Sequence, residues 1–188
     1  MAVTAIIVVV TGVVLANNGR FGGVVQLQNL AYDVALSIRQ AQVYSISVQR
    51  YGTGTDDFST AYGVHFETAL SQNYMLFGDV DEDGFFDREP LPNGENVSPS
   101  PYTIRNGFQI IGLCAPAGSD ATTCMNAYPS TQLDIVFKRP EADAYIRKNG
   151  QSGLHSSARI ILRSPRNDVM SVVVENNGQI SVKREASQ

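Results

Sequence analysis

The sequence is poor in the residues that most often carry out chemistry in proteins. Its 188 residues include two histidines, two cysteines and no tryptophan. The motifs H-E-x-x-H, C-x-x-C and G-x-S-x-G are absent, and there is no glycine-rich phosphate loop. Metalloproteases, dithiol oxidoreductases, α/β-hydrolases and many nucleotide-binding enzymes carry these signatures. The sequence therefore predicts that the protein is not an enzyme.

Basic residues are also scarce. Lysine and arginine total 14 against 18 aspartates and glutamates, which gives a net charge of −4 and a pI of about 5.1. Nucleic-acid binding needs clustered cations, and the pairs Lys138–Arg139 and Lys183–Arg184 are too short to supply them. Hydrophobic residues make up 43% of the chain and charged residues 17%, which predicts one domain with a buried core and room for an appended segment.

Residues 2–16 contain no charged side chain and are apolar on all sides of a predicted helix; the apolar members are Ile6, Ile7, Val8, Val9, Val10, Val13, Val14 and Leu15. At about 15 residues, the run is shorter than the ~20 that span a bilayer. It also lacks the charged start and cleavage site of a secretory signal. A buried core helix, a clipped signal segment and a membrane helix that begins further upstream all fit. The continuation into an amphipathic helix favours the third.

Residues 24–50 carry one apolar stripe with spacings of three, four and seven, formed by Leu27, Leu30, Ala31, Val34, Ala35, Ile38, Ala41 and Val48. Such spacing places the stripe on one side of a helix that packs against a globular partner. The expected division is an apolar half at 1–23 for membrane or filament core, and a head at 24–188. The head comprises this helix and a β-rich part at 51–188.

Glycine interrupts this long helix at two predicted points. Residues 17–19 and 22–23 include three glycines, each of which costs about 1 kcal/mol against alanine in a helix interior. We expect a hinge or a locally melted turn there, with Arg20 marking where the apolar environment ends. The glycines in residues 51–54 predict the end of the helix.

The remaining chain is rich in short apolar and aromatic runs that are typical of strands, at residues 62–66, 74–77, 108–113, 133–138, 158–163, 169–175 and 179–183. Asn177 and Gly178 predict a tight hairpin between the last two. We expect an α+β fold, with a long N-terminal helix against an antiparallel sheet. Six strand aromatics should cover the helix stripe: Tyr62, Phe66, Tyr74, Phe77, Phe108 and Phe137.

The two cysteines, Cys114 and Cys124, lie close together in a stretch rich in small residues. A disulfide there would stabilise the fold by roughly 2–3 kcal/mol and would persist outside the reducing cytosol. Two free thiols are the alternative. The adjacent apolar run favours the disulfide.

An acidic segment at residues 79–87 has the spacing of a calcium loop. Asp79, Asp81, Asp83 and Asp87 occupy the first, third, fifth and ninth positions, and Gly84 occupies the sixth, where a sharp turn is needed. Pro90 stands where the twelfth-position glutamate is expected. The candidates are a structural calcium site and a solvated acidic hairpin tip.

The two histidines have no partners that the sequence can identify. His65 lies within a predicted strand, which favours a half-buried packing residue over a metal ligand. His155 lies in a predicted loop with Ser152 nearby, but a serine nucleophile also needs a fixed base and an oxyanion site.

Four segments resemble the type IV pilin and type II secretion pseudopilin superfamily, particularly its minor pseudopilins. They are M-A-V-T-A-I-I-V-V-V at 1–10, N-L-A-Y-D-V-A-L-S-I-R-Q-A-Q at 29–42, Y-G-V-H-F at 62–66 and G-Q-I-S-V at 178–182. The family's leader with a Gly-Phe junction and its Glu at the fifth mature position are absent. We expect either that the chain is truncated at its N-terminus or that its start is assigned too late, by about ten residues on the span arithmetic.

The resemblance implies a subunit held in the membrane by its N-terminal helix and then polymerised into a helical filament with copies of itself or other pilins. It implies an extracytoplasmic location, at the cell surface or in a periplasmic filament. The alternative is a monomeric, membrane-tethered module that binds a ligand through residues 91–101 or 115–130. Whether the apolar run contacts copies of itself distinguishes the two.

Overall fold

The computed structural model describes residues 2–47, 60–88, 95, 97 and 101–185, with only the backbone for residues 15–21. The chain opens with one long helix, α1 (Ala2–Ile46), and continues into strands joined by short connections. A 3-10 turn (Thr68–Leu70) and a short helix, α2 (Ala121–Ala127), are the other helical elements of the described residues. The observed class is α+β, as the sequence predicts.

The backbone of α1 is helical across residues 17–23, so the predicted hinge is wrong. A helix gains one hydrogen bond per added residue, whereas a break needs a new and costly nucleus. The glycines make extension of the helix less favourable but do not stop it. No side chain outside the helix lies within 4 Å of the Cβ positions of Gly22 and Gly23, so no other element forces a bend. Val48 and residues 51–54, where the helix was expected to continue and end, lie outside the described residues.

The described strands form two antiparallel sheets instead of the one predicted. The first contains β1 (Ala61–Glu67), β2 (Asn73–Asp79), β3 (Tyr102–Thr103), β6 (Gln132–Phe137), β7 (Ala144–Lys148) and β8 (Gln151–His155), in the order β3-β2-β1-β6-β7-β8. The second contains β4 (Gln109–Cys114), β5 (Pro129–Ser130), β9 (Ser157–Arg163), β10 (Val169–Glu175) and β11 (Ile180–Arg184), in the order β11-β10-β9-β4-β5.

All seven predicted strands are present, with small differences at their ends. The predicted hairpin joins β10 to β11 and is closed by a hydrogen bond from the Gly178 N–H to the Glu175 carbonyl. Gly178 adopts a φ of 79°. The strands β3, β5, β7 and β8 were not predicted from the sequence. His155 ends β8, so its placement in a loop is corrected.

The core lies between the stripe of α1 and the two sheets. Leu27, Ala31, Val34, Ile38 and Ala41 are completely buried, and Leu30 and Ala35 pack against the same cluster. The six predicted core aromatics are all buried. Five of them join this cluster, whereas Phe77 packs on the opposite face of the first sheet, beneath Phe86. The head half of α1 is therefore the centre of the fold.

Candidate functional sites: the exposed helix and the acidic loop

The N-terminal third of α1 projects without contact to the head. Every described side chain from residue 2 to residue 14 is exposed, and Val9 exposes 65% of its surface. The side chain of Leu15 lies outside the described residues. No helix in the described part of the chain has an 18-residue stretch apolar enough to cross a membrane. The result is an apolar rod attached to a folded head.

A second set of exposed apolar side chains lies on the outer face of α1, beside the head. It consists of Val25, Tyr32, Leu36 and Val43. The spacings of seven, four and seven place these residues along one line of the helix. Tyr32 and Leu36 border a groove that Ile180 of β11 closes on the other side. The predicted stripe covers one face of α1, and this line covers another.

The acidic loop begins at the last residue of β2, Asp79, which pairs with Ala61 of β1. Each of three carboxylates accepts a backbone N–H within the loop: Asp79 from Gly84 at 3.1 Å, Asp81 from Asp83 at 3.3 Å and Asp83 from Phe85 at 2.8 Å. These bonds turn the carboxylates of Asp79, Asp81 and Asp83 toward one another. One oxygen of each lies within 4.8 Å of the others.

Asp79 is completely buried at the base of this cluster. Its Oδ2 accepts no hydrogen bond, and the Lys138 Nζ lies 3.8 Å away. Burial raises the pKa of the Asp79 carboxyl, while the Gly84 N–H and Lys138 partly oppose the rise. A buried carboxylate with a free oxygen costs free energy unless a cation compensates it.

Asp87, the fourth predicted ligand, is not part of the group of three carboxylates. Its backbone N–H donates to Glu95 Oε2 at 2.9 Å, and the Val80 N–H donates to Glu95 Oε1 at 2.9 Å. Glu95 therefore ties the two ends of the acidic loop together. The sequence gives no signal for this role of Glu95, because its partners are backbone groups brought near only by the fold.

Two cations contact the loop: Lys138, which follows β6, and Arg147 of β7. The Lys138 Nζ donates to the Glu82 carbonyl at 3.2 Å, and the Arg147 Nη1 donates to the Gly84 carbonyl at 3.3 Å. The Arg147 guanidinium also lies over the Phe85 ring, 5.3 Å from its centroid. Gly84 has a φ of 78°, and a Cβ there would lie 1.7 Å from the Arg147 Nη1. The positive φ favours glycine here, and a side chain at this position would also displace the Arg147 guanidinium.

Beside the loop, His65 is more buried than predicted and has a charged partner. Its Nδ1 lies 2.7 Å from the Asp134 Oδ1, and its ring packs 5.0 Å from the Phe86 ring. The pair borders a cleft of about 290 Å³ that Glu67 and Arg88 also line. The residues lining this cleft include no serine, threonine or cysteine. No hydroxyl or thiol nucleophile is therefore seen beside the His–Asp pair among the described residues of this cleft.

Cys114 and Cys124 lie at disulfide-bonding distance, with their Cα atoms 5.6 Å apart. Cys114 ends β4 and Cys124 lies in α2, a helix that the sequence analysis missed. Asp120 begins α2 by accepting the Thr123 N–H at 2.8 Å. This helix occupies much of segment 115–130, one of the two candidate ligand loops. The other, residues 91–101, lies almost entirely outside the described residues.

Arg159 of β9 is completely buried and contacts the segment 115–130. It donates to the carbonyls of Ala117, Gly118 and Ser119 at 2.8 to 3.1 Å, and it forms an ion pair with Glu185. The second Glu185 oxygen accepts the Ala121 N–H at 3.2 Å. A lone arginine in a strand has no sequence signal for this role, because its partners come from distant segments.

Comparison of the chain with protein-family models, curated proteins and solved structures finds no match. The fold and its sites define an α+β protein in which a long N-terminal helix serves both as the centre of the core and as an exposed apolar rod.

Proposed function

We propose that the protein is a structural subunit of a helical filament, of the kind formed by type IV pili and type II secretion pseudopili. The observation that carries the proposal is the exposed, uncharged segment of α1 at residues 2–14. Monomeric soluble proteins rarely expose a contiguous apolar surface of this kind, and such a surface marks a contact with other chains or with lipid. In a filament, copies of this segment would pack together in the core.

The uncharged segment suits exchange between two environments. A helix satisfies its own backbone hydrogen bonds, so lipid can be replaced by neighbouring helices with little change in polar desolvation. We therefore propose a membrane-held subunit on the extracytoplasmic side that later enters the filament. The paired cysteines agree with an oxidising compartment. Head-to-tail contacts between copies would extend without closing into a ring.

The outer line of α1 supports contacts along the whole helix. Val25, Tyr32, Leu36 and Val43 continue the apolar surface past the point where the head begins. A monomeric tethered module, the second candidate, needs the rod only as an anchor and has no use for this line. The line therefore favours the filament over the monomer.

Cysteine crosslinking at Val9 tests the filament directly. We expect Val9→Cys to form dimers and higher species between copies in the native membrane, because the rods would lie side by side. Glu141→Cys, exposed between β6 and β7, is the matched control and should stay monomeric or crosslink less. If Val9→Cys remains monomeric wherever the protein is functional, the monomeric tethered module replaces the filament.

The acidic loop is proposed to hold a structural calcium ion. Calcium prefers carboxylate and carbonyl oxygens. Asp79, Asp81 and Asp83 converge, and the buried Asp79 Oδ2 has no hydrogen bond. Asp87 stays a predicted ligand through its position in the loop. Glu95, by fixing the N–H groups of Val80 and Asp87, would hold the loop in its binding shape.

Calorimetric titration of the protein with calcium and with magnesium tests this site. We expect calcium to bind and to raise the melting temperature, because a ligand that binds only the folded state stabilises it. Asp81→Asn with Asp83→Asn should abolish both effects, whereas Asp33→Asn, on the exposed face of α1, should leave them intact. No heat of binding, together with unchanged protease sensitivity around residues 78–92, would rule the ion out.

A further inference from the structure

The end of the head from which the rod of α1 emerges is formed by two connections. Residues 104–108 join β3 to β4, and residues 164–168 join β9 to β10. Both border a cavity of about 360 Å³ against Gly22, Gly23 and Gln26 of α1. We call these two connections, with the adjoining ends of β9 and β11, the base of the head.

Four arginines gather at the base of the head. Arg105 and Arg166 are exposed in the two connections. Arg163 ends β9 opposite Gln109 and Val169, and Arg184 ends β11 opposite Met170. None of the four has an ion-pair partner within the described residues.

The nearest acidic groups offset only part of this positive charge. Asp168 contributes one negative charge at the base, because the hydrogen bond that its Oδ2 accepts from the Ser164 Oγ at 3.1 Å does not cancel the charge, and the four arginines outnumber it. Glu185 is turned toward the buried Arg159. The base of the head is therefore positively charged in a chain whose net charge is −4.

The opposite end of the head carries the acidic loop. Ser45 of α1 donates a hydrogen bond to the Phe137 carbonyl, and Phe137 pairs with Tyr62 beside Ala61 and Asp79. The 22 residues from Gly23 to Ser45 span about 33 Å at ~1.5 Å per residue. The basic and acidic ends are thus separated by most of the head, and the basic end adjoins the rod.

We propose that the base of the head binds the anionic headgroups of a lipid surface in which the rod is held. The proposal rests on the membrane-held state of the proposed function. About 12 Å of helix separates residues 14 and 22, which brings the base to the depth of the polar headgroups. The guanidinium group of arginine can donate two parallel hydrogen bonds to the oxygens of a phosphate. Each basic residue at an anionic surface strengthens binding about fivefold. The charge would also orient the head upright on the membrane.

Flotation of the full-length protein with vesicles tests the proposal. Neutral phosphatidylcholine vesicles are compared with vesicles that also contain phosphatidylglycerol, at low and high salt. We expect tighter binding to the anionic vesicles, lost at high salt. Arg105→Gln with Arg166→Gln should weaken anionic binding on the order of 20-fold and leave neutral binding unchanged. Arg39→Gln with Arg88→Gln removes equal charge elsewhere and should keep the anionic preference.

The outcomes separate this proposal from the proposed function. Binding to neutral vesicles with no anionic excess keeps the membrane-held rod and overturns the lipid contact of the base. An arginine-dependent anionic excess without neutral binding supports the base and removes the rod as an anchor. If the arginine variant binds vesicles as the unmodified protein does but loses Val9→Cys crosslinks, the base contacts a neighbouring copy, and the lipid proposal is wrong. An equal loss in the control pair overturns it as well.

Discussion

Arg159 shows how one buried side chain can organise a distant surface. Its guanidinium binds three successive carbonyls, at Ala117, Gly118 and Ser119, and pairs with Glu185 from the end of the chain. Buried charges are tolerated only when such partners are complete. The segment that carries the second cysteine is therefore held by an ion pair as well as by the cysteines.

Replacement of Arg159 by alanine should destabilise the fold by about 3–5 kcal/mol, because Glu185 and three carbonyls would lose their buried partner. Arg163→Ala, four residues further along β9 and partly exposed, is the matched control and should cost less than about 1 kcal/mol. Urea unfolding of both variants measures the difference. Equal losses of unfolding free energy in the two variants would show that the Arg159 hydrogen bonds and ion pair do not stabilise the fold more than an ordinary strand residue does.

Glu95 makes stability depend on pH. Burial, with a smaller effect from the carboxylates of Asp79 and Asp81, raises the pKa of Glu95 from its ordinary value of 4.5 to about 7, although two backbone N–H groups oppose the rise. The folded state therefore binds this proton more tightly than the unfolded chain does. The stability that protonated Glu95 contributes is fully present below pH 4.5 and is lost as pH rises through 7.

In calcium-free buffer, Glu95 should lower the free energy of unfolding by on the order of 1–3 kcal/mol between pH 5 and pH 8, since one unit of pKa equals ~1.4 kcal/mol. Glu95→Gln cannot titrate and should remove this part of the pH dependence, whatever its effect on absolute stability. Chemical denaturation at a series of pH values gives the slope of unfolding free energy against pH for the unmodified protein and for Glu95→Gln. Identical slopes in both proteins would contradict the raised pKa.

The helix α1 presents different faces to the core and to the exterior. Ile38 and Val34 are fully buried between the sheets, whereas Leu36, two residues from each, exposes 67% of its surface. The same helix therefore supplies its own control for the role of its buried stripe.

Ile38→Asp or Val34→Asp should cost at least about 4 kcal/mol and unfold the head, because each buries an unpaired charge. Leu36→Asp should change stability by less than about 1 kcal/mol. Circular dichroism melting of the three variants checks the contrast. A folded head carrying Asp at residue 34 or 38 would refute the packing of α1 at the centre of the fold.

Local pattern predicted the long strands because valine, isoleucine and aromatic residues concentrate there, as in β9 and β10. It missed β8 (Gln151–His155), which has a single large apolar residue, Leu154, and is largely exposed at a sheet edge. The glycines of α1 suggested a break that helix continuity overrides. The Asp79–Asp83 cluster was visible in the sequence because its geometry is local. Glu95 and Arg159 were not, since their partners are remote in the chain.

At the scale of the whole molecule, three properties lie along one axis. The uncharged rod comes first, the arginines at the base of the head follow, and the acidic loop lies at the far end. This order suits a subunit that stands on a membrane and later leaves it for a filament. All three properties depend on α1 being one continuous rod whose first third projects away from the head.

Spin labels at Val9→Cys and Leu36→Cys measure that geometry directly, because both positions are exposed. Cys114 and Cys124 are paired with each other and do not compete for the label. An unbroken helix separates the two residues by about 40 Å along its axis. Double electron–electron resonance on the full-length protein in detergent micelles should give a single distribution near that distance. A distribution centred below about 25 Å would mean that the first residues fold back on the head, and the account of an exposed rod would be wrong.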